Sequence, residues 1–248
     1  MKALKCKKIK ADSVDKTDIT IEIQDSFINF KRICGFSIKS FIGGAPTLFN
    51  AGKGTNFKFE VLGVSDDDVN RINAIDTRGK VKDRIKCIPE LKFISVTNSI
   101  FSKNLLFVDT NMEKFMSEMV KVYYRENVSD CAEIANILDD RDPFNLETEN
   151  IYPHKIKKFL CAVALGLQPA KNWSGMDEAN GGYIIVKESG DVIAYHLHDR
   201  NSFENYLLNN TKLETPSTGK HDFGKIYVED GKKFINLNLQ IRFKIHEQ

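Results

Sequence analysis

The residues best suited to chemistry are a carboxylate, Asp18, and a hydroxyl and ammonium two positions apart, Ser37 and Lys39, carried on two runs that alternate apolar and polar side chains. Over residues 16–23, Ile19, Ile21 and Ile23 point one way, and Asp18, Thr20 and Glu22 the other. Over residues 35–40, Phe36 and Ile38 are expected to face the core, with Ser37 and Lys39 opposite. A hairpin whose loop centres near Ile28 brings Asp18 beside Ser37 and Lys39 on one polar face. A carboxylate there can hold Mg²⁺, which polarises a phosphoryl oxygen and acidifies a water, while a neighbouring ammonium positions that water or stabilises developing charge. This is the chemistry of phosphodiester hydrolysis. Ser37 cannot supply a negative ligand, so another acid must complete the metal shell, and Glu22 on the same face or Glu60 on the next strand could do it. A solvated polar strand face explains the pattern as well, and the trio by itself leaves both readings open.

The elements that must position these groups fall into three stretches. Residues 1–98 are strand-rich, with strands expected over 5–11, 18–24, 33–39, 57–62 and 91–97 and helical spacing over 66–76 and 80–88. Asp66, Asp67 and Asp68 open the first of those helices, where acids suit the helix dipole. Residues 99–175 are helical, with apolar stripes over 112–124, 130–138 and 155–167. Residues 176–248 return to strands: a hairpin over 183–196 across Glu188-Ser189-Gly190-Asp191, a short helix over 201–209, and a second hairpin from 225 to 243 across Glu229-Asp230-Gly231. The fold class is α+β, as one continuous domain or as these three parts.

Composition narrows the function. With 36 basic and 34 acidic side chains in 248 residues the net charge is +2, so affinity for a polyanion must come from local segregation of charge. The first ten residues hold five lysines and no acid, which suits a phosphate-contacting edge or, more simply, a solvated strand. The five cysteines are scattered without metal-ligand spacing, which fits a reducing compartment. No signal-peptide pattern opens the sequence, and the longest apolar run, 159–167, is too short to span a bilayer. An intracellular soluble protein is expected.

Longer runs carry a resemblance. Asp18 followed by Gly35-Phe36-Ser37-Ile38-Lys39-Ser40, the glycine-bearing stretch 43–52, Thr55-Asn56-Phe57-Lys58-Phe59-Glu60, the stretches 177–187 and 209–218, and Asn236-Leu237-Asn238-Leu239-Gln240-Ile241-Arg242-Phe243 are similar, in order, to HpaII-type restriction endonucleases of the PD-(D/E)XK nuclease superfamily. The resemblance implies a restriction-endonuclease-like mixed β-sheet core flanked by helices. It implies a type II enzyme that cuts double-stranded DNA at CCGG with Mg²⁺ and leaves a 5′ phosphate. Residue by residue it puts Asp18 at the metal, Ser37 in the place usually held by the motif's acid, and Lys39 at the attacking water. Family members carry a region with a helix before the lysine-rich strand, so the resemblance also implies an N-terminally shortened chain. The rival reading is a remnant that binds DNA without turnover.

Reading CCGG in the major groove calls for Arg or Lys donors to guanine and acceptors for cytosine N4. The segment 210–221, too irregular for a strand, is expected to be a loop presenting Lys212, Thr215, Ser217, Lys220 and His221 to DNA. Lys53 and Asn56, in and just after the Gly52–Gly54 stretch, and Arg242, on the polar face of the last strand, complete the expected contacts. An ordinary surface loop is the blander alternative. His196 and His198 alternate on a strand but lack a third ligand, so they read as surface residues, and Trp173 reads as a packing anchor. A palindromic target implies a homodimer, and restriction implies a DNA methyltransferase gene as neighbour.

Overall fold

The computed structural model describes residues 17–25, 30–195 and 199–245. The strand expected over 5–11, Cys6, the turn near Ile28 and the His196 and His198 pair lie outside the described residues.

Three sheets organise the described residues. In the first, β1 (Ile19–Asp25) pairs antiparallel with β2 (Phe30–Ser40), β2 pairs parallel with β6 (Gly182–Val186), and β6 pairs antiparallel with β7 (Val192–Tyr195). The second runs β5 (Glu90–Val96), β4 (Asn56–Leu62), β10 (Lys232–Asn238), β9 (Ile226–Glu229), all antiparallel. The third is small: β3 (Thr47–Phe49), β11 (Ile241–Phe243) and β8 (Thr211–Leu213). The expected last strand over 233–243 is therefore two strands in different sheets. The break falls where Asn238 turns its amide inward to the Gly52 carbonyl at 2.7 Å and Asn56 Oδ1 at 2.6 Å, and the Leu239 N–H donates to the Thr55 carbonyl. Alternation along a sequence continues through such a change of partner, so it does not reveal one.

Helices form where capping and spacing agree. At α1 (Asp66–Asn73) the Ser65 hydroxyl accepts from the Asp68 N–H while Asp68 reaches back to Ser65, and the three acids lie at the positive end of the dipole. α2 (Lys80–Lys86) is short and basic. After α3 (Ser99–Val108), α4 (Met112–Glu126) buries Phe115, Met116, Met119 and Tyr123 and stops at Asn127, whose left-handed backbone ends the helix. α5 (Cys131–Arg141) and α6 (Ile151–Leu165) follow, and α6 buries an unbroken run from Phe159 to Leu165. Among the described residues no helix is long and apolar enough to cross a membrane.

The core draws from all three stretches: Phe49, from β3, packs on Phe101 of α3 and Phe159 of α6 with ring centroids 5.4 and 5.8 Å apart, and Phe243 of β11 meets Phe41 at 5.8 Å. Each such ring contributes roughly 2–3 kcal/mol by leaving water. Trp173 is buried and donates its indole N–H to the Met176 carbonyl, so it is the packing anchor expected.

One network positions the first sheet. Glu204 on α7 (Arg200–Asn209) is buried between Lys158 of α6 at 2.9 Å and Arg200 at 3.3 Å, and Arg200 continues to Asp177 at 3.0 Å. A buried carboxylate persists because these two cations compensate its lost hydration. The segment so tied then meets β2: Asn180 Oδ1 accepts from the Gly35 N–H at 2.9 Å, and the Gly181 N–H donates to the Gly35 carbonyl at 2.7 Å.

Candidate functional site

Gly35 sets how closely β6 approaches β2. A Cβ there would lie 2.4 Å from Thr17 Cγ2 and 2.5 Å from the Glu178 carbonyl oxygen. Backbone cannot swing away like a side-chain tip, so Gly35→Ala is expected to cost about 1–3 kcal/mol by overpacking. Urea unfolding measures this, and a change under about 0.5 kcal/mol would show that the contact yields.

The register then places the candidate groups. Ile19 is opposite Phe36, which puts Asp18 opposite Ser37, and β6 sets Tyr183 beside Ser37 and Ile185 beside Lys39. The Asp18 Oδ2 accepts the Ile38 N–H at 2.6 Å and lies 3.4 Å from the Ser37 hydroxyl. Lys39 is half-buried, and burial holds its ammonium below the usual lysine range while the Asp18 carboxylate pulls the other way. Among the described residues the two charges stop short of an ion pair. The sheet thus brings the expected carboxylate, hydroxyl and ammonium onto one face, with the central hydroxyl deeply set.

That face is not the one the alternation suggested. Ser37 is 2% exposed and shares its side with the buried Tyr183 and Ile185, whereas Ile19 and Ile21 are 41% and 46% exposed. Phe36 and Ile38 are only half-buried. The inward side is fixed by what β6 and α7 bring against the sheet, namely Tyr183 with Phe203 packed on its ring. A period of two says that the faces differ, not which one is covered.

Neither of the two acids expected as alternatives to complete the metal shell stands beside Asp18. Glu22 is four residues along β1 from Asp18, about 13 Å at strand rise, too far to share one ion. Glu60 lies on β4 in the second sheet and pairs with Lys232 at 3.3 Å. Among the described residues no three His, Cys, Asp or Glu side chains gather as metal ligands. Mg²⁺ does not require such a cage, since it is often held by one or two carboxylates, several waters and the substrate's own phosphate. Asp18, whose Oδ1 receives no hydrogen bond among the described residues, fits that role.

The expected DNA contacts divide into two groups. Lys53, Ser217 and Lys220 are exposed and His221 is half-buried, on or beside α8 (Thr218–His221) and the turn Lys53–Thr55. Lys53 reaches to 4.0 Å from Asp222. Asn56 is a correction: it is buried, and its amide donates to the His221 carbonyl at 3.0 Å and accepts from Asn238, so it braces these loops rather than facing a base. The other group sits on the third sheet, where Lys212 pairs with Arg242. Arg242 is held by Glu214 at 3.2 Å and by Thr47. Thr215 shares a 2.8 Å hydrogen bond with Tyr123. The segment 210–221 is thus not one loop but β8, a connection and α8.

Sequence reasoning missed the neighbours of α8. A cleft of about 380 Å³ is lined by Arg78, Lys80, Lys82, Tyr123, Thr215 and Ser217, and one of about 670 Å³ by Lys80, Arg84, Thr218, Gly219 and Lys225 among others. Their basic side chains come largely from the start of α2, where the alternation Arg78-Gly79-Lys80-Val81-Lys82 was a signal, though one that reads equally as helix surface.

Comparison with known proteins supplies the class. A family model of restriction endonucleases matches residues 1–243, so the chain is a type II restriction endonuclease, a site-specific deoxyribonuclease that acts on double-stranded DNA. Enzymes of this class generally work with divalent metal ions. Within the class, the chain belongs to the HpaII restriction endonuclease family. It is 38% identical over 239 residues to the type II restriction enzyme HpaII of Haemophilus parainfluenzae, a match covering 95% of this chain and 67% of that relative. No solved structure matches the chain.

Proposed function

We propose that this chain cuts double-stranded DNA at CCGG in a Mg²⁺-dependent hydrolysis, with Asp18 and Lys39 as the catalytic pair. The observation that carries this reading is the convergence of their opposite charges on one sheet face, with no ion pair between them among the described residues. Family membership supports the target and the metal.

In the reaction a water oxygen bonds to phosphorus, the P–O3′ bond breaks, and O3′ leaves with a proton, giving a 3′ hydroxyl and a 5′ phosphate. Asp18, oriented by the Ile38 N–H, is the residue that would hold the cation. Bound Mg²⁺ supplies charge that polarises the phosphoryl oxygens and acidifies the attacking water. Lys39 orients that water and offsets negative charge as it grows on phosphorus; partial burial strengthens its field. Ser37 occupies the motif's acid position as a neutral hydroxyl beside Asp18.

Lys53, Ser217, Lys220 and His221 form the proposed DNA-facing edge, with Lys212, Thr215 and Arg242 on the adjoining small sheet. Lys220→Ala is expected to weaken binding to CCGG and unrelated duplexes alike and to reduce the log–log salt slope by about one. Filter binding across a salt series checks this; an unchanged slope would remove Lys220 from the interface. A palindromic site read by two equivalent copies fits a homodimer, and a cytoplasmic enzyme of this kind needs a methyltransferase to protect its host.

The test is digestion of supercoiled plasmid with and without CCGG. Mg²⁺-dependent cutting confined to the CCGG plasmid is expected. Retarded mobility without cutting, at protein well above the binding constant, would instead mark a DNA-binding remnant.

A further inference from the structure

Among the described residues three buried side-chain atoms lack a hydrogen-bond partner: Nε of Arg84, Oε1 of Glu113 and Oη of Tyr183. Arg84 uses its other two nitrogens on the carbonyls of Gly224, Asn73 and Ile75. Tyr183 has a single side-chain polar atom, and that atom is the orphan. The phenol is fully buried, its ring held by Phe203 at 5.3 Å and Phe243 at 6.5 Å between centroids. A buried hydroxyl left unpaired costs the fold, and phenylalanine would fill the same space without that cost. The hydroxyl therefore asks for a reason, and its place in the sheet suggests one.

Parallel pairing sets Tyr183 beside Ser37, on the face that carries Asp18. Ser37 is the other hydroxyl buried there, and it reaches the Asp18 carboxylate only at a long 3.4 Å. Catalytic hydrogen bonds are often long before substrate binds and tighten in the loaded complex. We propose that Tyr183 is a positioning residue: its hydroxyl donates to Ser37 Oγ, which donates to Asp18 Oδ2, and this two-hydroxyl relay closes when a DNA phosphate occupies the site. The relay gives the serine at the motif's acid position a task. It links rather than ligates, turning the Asp18 carboxylate so that Oδ1 would face the cation. Burial, then Tyr206 and Asp18, push the phenol well above its ordinary value, so it remains a neutral donor throughout the working pH range. Ser37 lies close enough to pull its ionisation the other way without completing a hydrogen bond.

The inference rests on the proposed nuclease function, and the test separates the two. Wild type, Tyr183→Phe, Ser37→Ala and the double variant are compared in single-turnover cleavage of a CCGG duplex. Duplex affinity in Ca²⁺ and the urea midpoint are measured in parallel. Each single variant is expected to slow cleavage about tenfold or more, and the double variant to be no slower than the worse single, because both cut one series connection. Affinity is expected to stay within about twofold of wild type, and the midpoint of Tyr183→Phe to hold or rise. Cleavage by Tyr183→Phe within about twofold of wild type, or losses that multiply in the double variant, would overturn the relay. So would a Tyr183→Phe midpoint that falls in proportion to its rate, which marks a packing role. A wild-type chain that cuts no CCGG duplex overturns the nuclease reading, and the relay with it.

Discussion

Asp18→Asn is expected to cut single-turnover cleavage about 10³-fold or more while leaving CCGG binding in Ca²⁺ near the wild-type value. Asparagine keeps the side chain's shape and can still accept the Ile38 N–H, so the β1–β2 pairing survives. What it lacks is the charge that would hold the cation. Losing several kcal/mol of electrostatic stabilisation, at about 1.4 kcal/mol per tenfold, gives that magnitude. Among the described residues no group of three His, Cys, Asp or Glu side chains gathers around Asp18 to take over. Residual cleavage within about tenfold of wild type would assign the cation to other ligands.

Lys39→Met is expected to separate activity from stability. Methionine retains most of the apolar stem but not the ammonium, so cleavage should fall about 10²–10³-fold, the usual scale for losing one group aimed at developing charge. Stability should hold or rise, because burial already disfavours the charged form. The sign follows from linkage. With the folded-state pKa of Lys39 below its ordinary 10.5, the unfolded chain binds more protons between the two values. Stability contributed by this group therefore increases with pH across that window, and the slope disappears in Lys39→Met. Urea midpoints measured up to pH 10.5 check it; a substitution that lowers the midpoint at neutral pH would mean that the ammonium has a stabilising partner.

The hairpin carrying Asp18, Ser37 and Lys39 was legible in the sequence because antiparallel pairing of two alternating runs fixes which residues share a face. Which face lies inward was not. That depends on β6, more than 140 residues away, and on the close approach that Gly35 permits to the Glu178 backbone. The long helices were readable from apolar stripes and from caps such as Ser65. The three-residue strands β3 and β8 were not, being too short to show a period. Glu60 was a candidate metal ligand because it lies on the next strand, but the chain leaves the first sheet after Ser40, so that strand belongs elsewhere. Asn56 was an expected DNA contact from its place after the Gly52–Gly54 stretch; only its partners His221 and Asn238 show that it braces loops. The orphan hydroxyl of Tyr183 is a property of packing, and no local sequence signal could have disclosed it.

The most direct test of the account is the structure of the chain bound to a CCGG duplex with Ca²⁺ in place of Mg²⁺. The Asp18 carboxylate, through the cation, and the Lys39 ammonium are expected to address the same phosphate. A scissile phosphate seated on another surface, or Asp18 and Lys39 meeting no DNA at all, would contradict it.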